Sequence, residues 1–268
     1  MKKTKLLIIS CVCVIAITLF NQSIATYSKS NKIDKSIPKS TNTNSSKKPK
    51  DLTKAEQLYT EIGLDGQLSF EAFENAIFGL ENLNFKNKNI ITIIDFSRPS
   101  TEKRMFVIDL YNKNILFHTI VSHGRNSGDK YATSFSNRHG SYQSSLGFYT
   151  TENTYQGRNG YSLVLNGLEK GINDQAKARA VVVHGADYCS ESFIKSTGRL
   201  GRSYGCPALP RKLSRPIINT IKNGSMVYIH ANNKEYLATS KIIKNHKKTL
   251  LAQHSNEVEL NDSTTMSY

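Results

Sequence analysis

Leu52, Ala55, Leu58 and Ile62 recur three or four positions apart, the spacing of one helical face, with Asp51 ahead of them as the N-cap. Asp65-Gly66 interrupts this pattern, and Ser69 then caps a second apolar stripe of Phe70, Phe73, Ile77 and Leu80. Residues 51–82 therefore predict a helical hairpin. From Asn89 onward the period changes to short β-branched and apolar runs: Ile90–Asp95, Met105–Leu110, Ile115–Val121, Leu146–Tyr149, Tyr161–Leu165, Val181–His184 and Met226–His230. Tyr111-Asn112-Lys113-Asn114 between two of them reads as a hairpin turn. Peripheral helices are expected near Asn173–Arg179 and Ser214–Lys222, the second ending at Asn223-Gly224. The expected fold is mainly β, a sandwich or barrel over 89–232 with an N-terminal helical hairpin and short peripheral helices.

The segment Ser122–Ser145 has no such period and is rich in Ser, Gly, Asn, Arg and His. A structureless connection this long inside a compact domain is usually functional or disordered, and between two strands it can form a lid or a substrate wall.

The chain's ends read differently from its middle. Met1-Lys-Lys-Thr-Lys5, the apolar stretch Leu6–Phe20 and Ser23-Ile24-Ala25 form the three regions of an export signal, with an uncleaved anchor as the alternative. The apolar stretch is shorter than the roughly 20 residues of a membrane span, so a cleaved chain would keep no stable span. Residues 26–50 are Ser, Lys, Asn and Thr with two prolines, a composition that reads as a disordered tether. Residues 241–268 read as a polar tail. What remains, 51–240, suits one domain.

Charge adds less than its total suggests. Of the net +15, the first 25 residues hold +3, the tether +6 and the tail +1, leaving +5 on the core. That distribution argues against nucleic acid as the partner. A basic tether either holds an exported protein near an anionic envelope polymer or simply keeps a linker solvated.

Candidate chemistry centres on two residues. His184 closes the apolar run Val181-Val-Val183 and precedes Gly185, which permits close backbone approach; Cys206 follows Gly205 in Gly201-Arg-Ser203-Tyr-Gly205-Cys206-Pro207-Ala-Leu209. A thiol is mostly protonated at neutral pH, so a nucleophilic cysteine needs a base or a positive field, which His184 and Arg202 or Arg199 can supply. The amides of Gly205 and Cys206 can face a developing oxyanion, whereas Pro207 has no N–H. Ser203 can accept from the imidazole or donate to substrate. The rival reading is structural: with Cys11 and Cys13 inside the signal, Cys189 and Cys206 form an even pair, and an exported chain pairs such cysteines in a disulfide. No spacing suits a metal, and Asp65–Glu71 lacks the alternating acids of a calcium loop.

His184-Gly185 followed by Ser203-x-Gly205-Cys206 resembles the signature of the murein L,D-transpeptidases. Phe135-Ser-Asn137, Gly140-Ser-x-x-Ser144-Ser-Leu-Gly147-Phe-Tyr149, Gly160-Tyr-Ser-Leu163, Gly167-Leu-Glu-x-Gly171 and Gly201–Leu209 are similar to their catalytic domain, so the resemblance covers about 52–232. It implies an exported, cofactor-free cysteine acyltransferase of the periplasm or cell envelope acting on peptidoglycan stem peptides. Cys206 would be the nucleophile, His184 the general base, and Ser203 and Gly205 their supports. The acyl group would pass to an amine, giving a 3→3 crosslink, or to water, giving an L,D-carboxypeptidase. A non-catalytic envelope-binding domain stapled by Cys189–Cys206 stands as the alternative from another class.

The chain departs from the better-known members at Tyr204 and Ala208, where those have His and Arg. Arg202 is the replacement candidate for binding the substrate carboxylate, and Tyr204 either lines the donor pocket or packs. Gly185, Ser141 and Asn137 complete the candidate substrate contacts. His123-Gly124 repeats the His-Gly dipeptide, but no strand-to-cysteine arrangement follows it.

Overall fold

The computed structural model describes residues 52–265, with backbone alone at 254 and 256–265. The export signal, the tether and the Asp51 cap lie outside the described residues. The helical hairpin is α1 (Lys54–Ile62) and α2 (Phe70–Asn82). Thr53 caps α1, its hydroxyl accepting from Glu56 N–H at 3.2 Å while the Glu56 carboxylate accepts from Thr53 N–H at 2.7 Å. Ser69 caps α2 as its sequence position predicts.

Eight strands follow: β1 (Asn87–Asp95), β2 (Met105–Asp109), β3 (Asn114–Thr119), β4 (Gly147–Gly157), β5 (Gly160–Gly167), β6 (Val182–Ala186), β7 (Ala208–Pro210) and β8 (Ser225–His230). They form one mixed sheet in the order β3-β2-β1-β8-β4-β5-β6-β7, curled into a half-barrel. The mainly β expectation holds, with one barrel-like sheet rather than two facing sheets. The pairs β1–β8 and β6–β7 are parallel and the others antiparallel. α2 packs on β1 and β8 through Phe73, Ala76, Ile77 and Leu80, all buried.

α3 (Glu191–Thr197) lies between β6 and β7, α4 (Arg211–Ile221) between β7 and β8, and α5 (Lys234–Thr239) and α6 (Lys241–Thr265) follow β8. α4 starts three residues earlier than its sequence pattern suggests and contains Pro216 in its second turn. Two expectations change. Residues 173–179 form consecutive turns rather than an α-helix. Asn173 is drawn out of helical use: its carboxamide oxygen accepts from Glu169 N–H, and its amino group donates to the carbonyls of Leu146 and Phe148. The polar tail begins as α6, because Ile243 and His246 are buried and the His246 ring stacks on Phe78 at 4.5 Å. Buried Glu169 links this end to the sheet, accepting from Phe148 N–H, Tyr236 Oη–H and Ser240 Oγ–H. Among the described residues no helix is long and apolar enough to cross a membrane.

The tightest helix-to-sheet contact is at Gly79, where an added Cβ would stand 2.1 Å from the Phe148 ring. Gly79→Ala should therefore destabilise the fold by about 1–3 kcal/mol through overpacking, despite alanine's better helix propensity. Urea unfolding of the variant measures this, and an unchanged or raised midpoint would contradict the packing argument.

Candidate active site

The parallel β6–β7 pair builds the site. Its register sets His184 opposite Ala208 and Gly185 opposite Leu209, which brings Cys206, two residues before β7, beside the start of β6. The Cys206 sulfur accepts from Val182 N–H at 3.4 Å and lies 3.6 Å from the Ala180 carbonyl, to which the thiol donates. Burial raises the thiol's pKa above its ordinary value, against the opposing effects of the Val182 N–H and the Arg179 charge.

His184 is buried, and its Nδ1 lies 3.1 Å from the carbonyl oxygen of Gly185. Donation from Nδ1–H to that carbonyl fixes the tautomer and leaves Nε2 as the basic nitrogen. Burial lowers the His184 pKa below its ordinary value, the Gly185 contact opposes this, and Arg211 reinforces it. The imidazole is therefore neutral at neutral pH, the form a general base requires. His184 and Cys206 both line one cavity of about 470 Å³, with Ser203, Tyr204, Arg202, Arg125, Arg199, Tyr188 and Phe193 on its walls.

The candidate support residues divide. Ser203 braces the turn: its hydroxyl donates to the Cys206 carbonyl at 2.6 Å and accepts from Gly205 N–H at 3.0 Å. Both bonds stay within the turn that carries Cys206, so the hydroxyl is engaged there although Ser203 also lines the cavity. Gly205 has φ +120°, and a Cβ there would meet the Gln143 carbonyl oxygen at 2.7 Å, so both backbone conformation and space select glycine. Its amide is already engaged by Ser203. The Cys206 amide has no partner among the described residues and is the better oxyanion donor of the two.

The predicted substrate contacts separate in the same way. Arg202 and Tyr204 reach the cavity. Arg202, however, is bonded to Asp129 at 3.2 Å and to the carbonyls of Gly128 and Arg125, and Arg199 meets the same Asp129 at 2.6 Å. Tyr204 is exposed, lies 4.8 Å from Tyr142 and carries Arg125 over its ring at 5.8 Å. Gly185 faces α4, where a Cβ would meet Ser214 Oγ at 2.5 Å, so its role is close helix packing. Asn137 bonds Asp174 and the Gln175 amide, and Ser141 accepts from Arg179; neither lines the cavity of Cys206. Both belong to the long polar segment, and their side chains are spent holding it in place.

The second His-Gly dipeptide is structural. His123 is buried against Arg104 Nη2 at 2.8 Å, and burial together with that cation lowers its pKa to about 4. Its carbonyl accepts from Ser203 N–H at 3.0 Å, so it supports the cysteine turn from behind. The proposed disulfide is not formed: both sulfurs are free. Cys189 is buried among Ile120, Ala186, Leu200 and Ala208, and burial pushes its thiol up to about 11, which makes it an inert packing residue.

Sequence reading overlooked Arg104 and Arg179. Arg104 is fully buried, donates to the Val121 and Arg98 carbonyls, and lies 4.7 Å above the Phe96 ring. An arginine at the start of an apolar run was the available signal.

A family model described as the L,D-transpeptidase catalytic domain matches residues 64–230, and the chain belongs to that family. Its fold is similar to that of an L,D-transpeptidase from Mycobacterium smegmatis, at 13% identity over 53% of this chain and 59% of that one, with a TM-score of 0.34. L,D-transpeptidase 3 from Mycobacterium tuberculosis is similar at 13% identity over 53% and 61% of the two chains, TM-score 0.34. An L,D-transpeptidase from Stackebrandtia nassauensis is similar at 13% identity over 66% and 76%, TM-score 0.34. The chain thus spans 59% of the length of the first of these. No curated protein matches.

Removing the Ser203 hydroxyl strands the buried Gly205 N–H and frees the Cys206 carbonyl. Ser203→Ala should cost about 1–3 kcal/mol of stability. It should also increase hydrogen exchange at Gly205; an amide as protected as in the unaltered protein would show that the brace is not needed.

Proposed function

We propose that the chain is an exported peptidoglycan L,D-transpeptidase that works through a thioester on Cys206. The observation that carries this reading is a thiol and a neutral imidazole opening on one cavity, with the imidazole's other nitrogen turned away toward Gly185.

The chemistry follows from these groups. His184 Nε2 takes the thiol proton as the Cys206 sulfur adds to the carbonyl of the third stem residue, and the Cys206 amide receives the developing oxyanion. As the tetrahedral intermediate collapses, the C–N bond breaks and the imidazolium returns its proton to the departing D-alanine amine. The thioester retains the acyl group's reactivity, so an amine of a second stem can replace the sulfur with no activated co-substrate. Attack by water instead makes the enzyme an L,D-carboxypeptidase. Export rests on the N-terminal sequence and puts the protein where this polymer lies.

Purified protein incubated with a disaccharide-tetrapeptide should release D-alanine and yield a crosslinked dimer; tripeptide alone would assign the carboxypeptidase. Cys206→Ala should abolish both products, and an unchanged rate would sink both readings. His184→Gln should lower kcat/KM by about 10²–10⁴-fold. Because the His184 pKa lies below its ordinary 6.5, the base is present at neutral pH and is lost only as pH falls past that value. The acid limb of kcat/KM should therefore have its midpoint below pH 6.5, and a midpoint above that would remove His184 as the base.

A further inference from the structure

The half-buried Arg179 is the second-last residue of the run of turns after β5, next to Ala180, whose carbonyl accepts from the Cys206 thiol. Its guanidinium makes four hydrogen bonds. Nη1 donates to the Ser136 carbonyl at 2.8 Å and to Ser145 Oγ at 2.6 Å. Nη2 donates to the Gln143 carbonyl at 2.6 Å and to Ser141 Oγ at 3.3 Å. All four acceptors lie within 136–145, the second half of the long polar segment, and all are uncharged. Among the described residues no carboxylate pairs with Arg179.

On the far side of the guanidinium is the cysteine turn. A Cβ placed on Gly205 would stand 3.4 Å from Arg179 Nη2, beside the Gln143 carbonyl that Nη2 holds. Ser144 Oγ–H donates to the Gly205 carbonyl at 3.2 Å, closing the same contact. One side chain therefore joins the 136–145 arm, the approach to β6 and the turn bearing Cys206.

The charged and titratable groups around Cys206 can be compared directly. On the cavity side are His184, Tyr188, Tyr204, Arg125, Arg199 and Arg202, and two of those arginines share Asp129. On the other side is Arg179, with the buried Tyr149 phenol behind it. Arg179 is the charge that acts on the thiol against burial. A cation whose partners are all neutral keeps its field, and the adjacent group that gains negative charge is the sulfur.

We propose that Arg179 is a positioning residue for the nucleophile, clamping the 136–145 arm over the Gly205–Cys206 turn and supplying the positive charge beside which the Cys206 thiolate forms. This rests on Cys206 being the nucleophile.

Alkylation of the thiol tests it without turnover. The full chain is treated with iodoacetamide at neutral pH, and peptide mass mapping separates Cys206 from buried Cys189. Arg179→Gln should slow Cys206 alkylation about three- to tenfold, the net of a smaller thiolate fraction and a more basic sulfur. Arg179→Lys, which keeps the charge but loses the fork, should slow it less, by about two- to threefold. An unchanged or faster rate in Arg179→Gln overturns the proposal. If that variant does not fold, Arg179→Lys decides alone: a folded Lys variant alkylated at the unaltered rate or faster overturns the proposal, and a slowed one supports it. Transpeptidation surviving in Cys206→Ala would instead refute the nucleophile assignment, so the two failures are distinguishable.

Discussion

The site depends on the parallel pairing of β6 with β7. β7 is three residues long and lies at the edge of the sheet, so it has one strand neighbour and little apolar area of its own. It is held instead by the chain that crosses it. Ser122 N–H donates to the Ala208 carbonyl, Ser203 N–H to His123, and Arg125 N–H to Ser203. Each such bond contributes on the order of 1 kcal/mol net, but leaving a buried partner unmade costs about 1–3 kcal/mol, so the set fixes geometry more strongly than it adds stability. Arg104 fixes the crossing chain in turn, taking up the Val121 carbonyl and the His123 ring.

This placement sets up an electrostatic conflict. The ordinary pKa values of thiol and imidazole, 9.0 and 6.5, already differ by 2.5, and burial moves the two further apart. Moving a proton from Cys206 to His184 is therefore uphill unless nearby charge stabilises the ionic pair. The resting pair is neutral, and in the proposed mechanism the ionic form arises only during attack. Charge stabilisation must come from groups already in place, because a half-buried site has little water to reorient. The Val182 amide and the Arg179 guanidinium are such groups, and both are held by backbone or by several hydrogen bonds before any substrate arrives.

What the sequence made legible follows the range of the interactions. The helical hairpin, the strands and the His184–Cys206 pair depend on local period, capping and short motifs, and they appear where those signals lie. The turns at 169–180 did not, because Asn173 bonds to Leu146 and Phe148, more than 20 positions away, rather than to its own helix. α6 was obscured by a polar composition that hides a narrow buried stripe, Ile243 and His246. Arg179 resembled any surface arginine, since its acceptors come from 34 to 43 residues earlier. Asn137 and Ser141, read from the sequence as substrate contacts, bond within the protein instead. Their polarity serves the segment's own order.

That polarity has a thermodynamic consequence for the site. The 122–145 segment buries few large apolar side chains and is held by hydroxyls, carboxamides and the guanidinium groups of Arg104, Arg179 and Arg202, so opening it locally exposes little apolar surface. The sheet beneath it, with Phe148, Tyr228, Ile91, Ile93 and Ile94 fully buried, would expose far more apolar surface on opening. The turn that carries Cys206 therefore rests on two supports of unequal stability: β6, which belongs to the sheet, and the polar arm, which does not. Loss of the arm would leave His184 on its strand while releasing Gly205 and Cys206, so the placement of Cys206 is the part of this site that depends most on residues far from it in sequence.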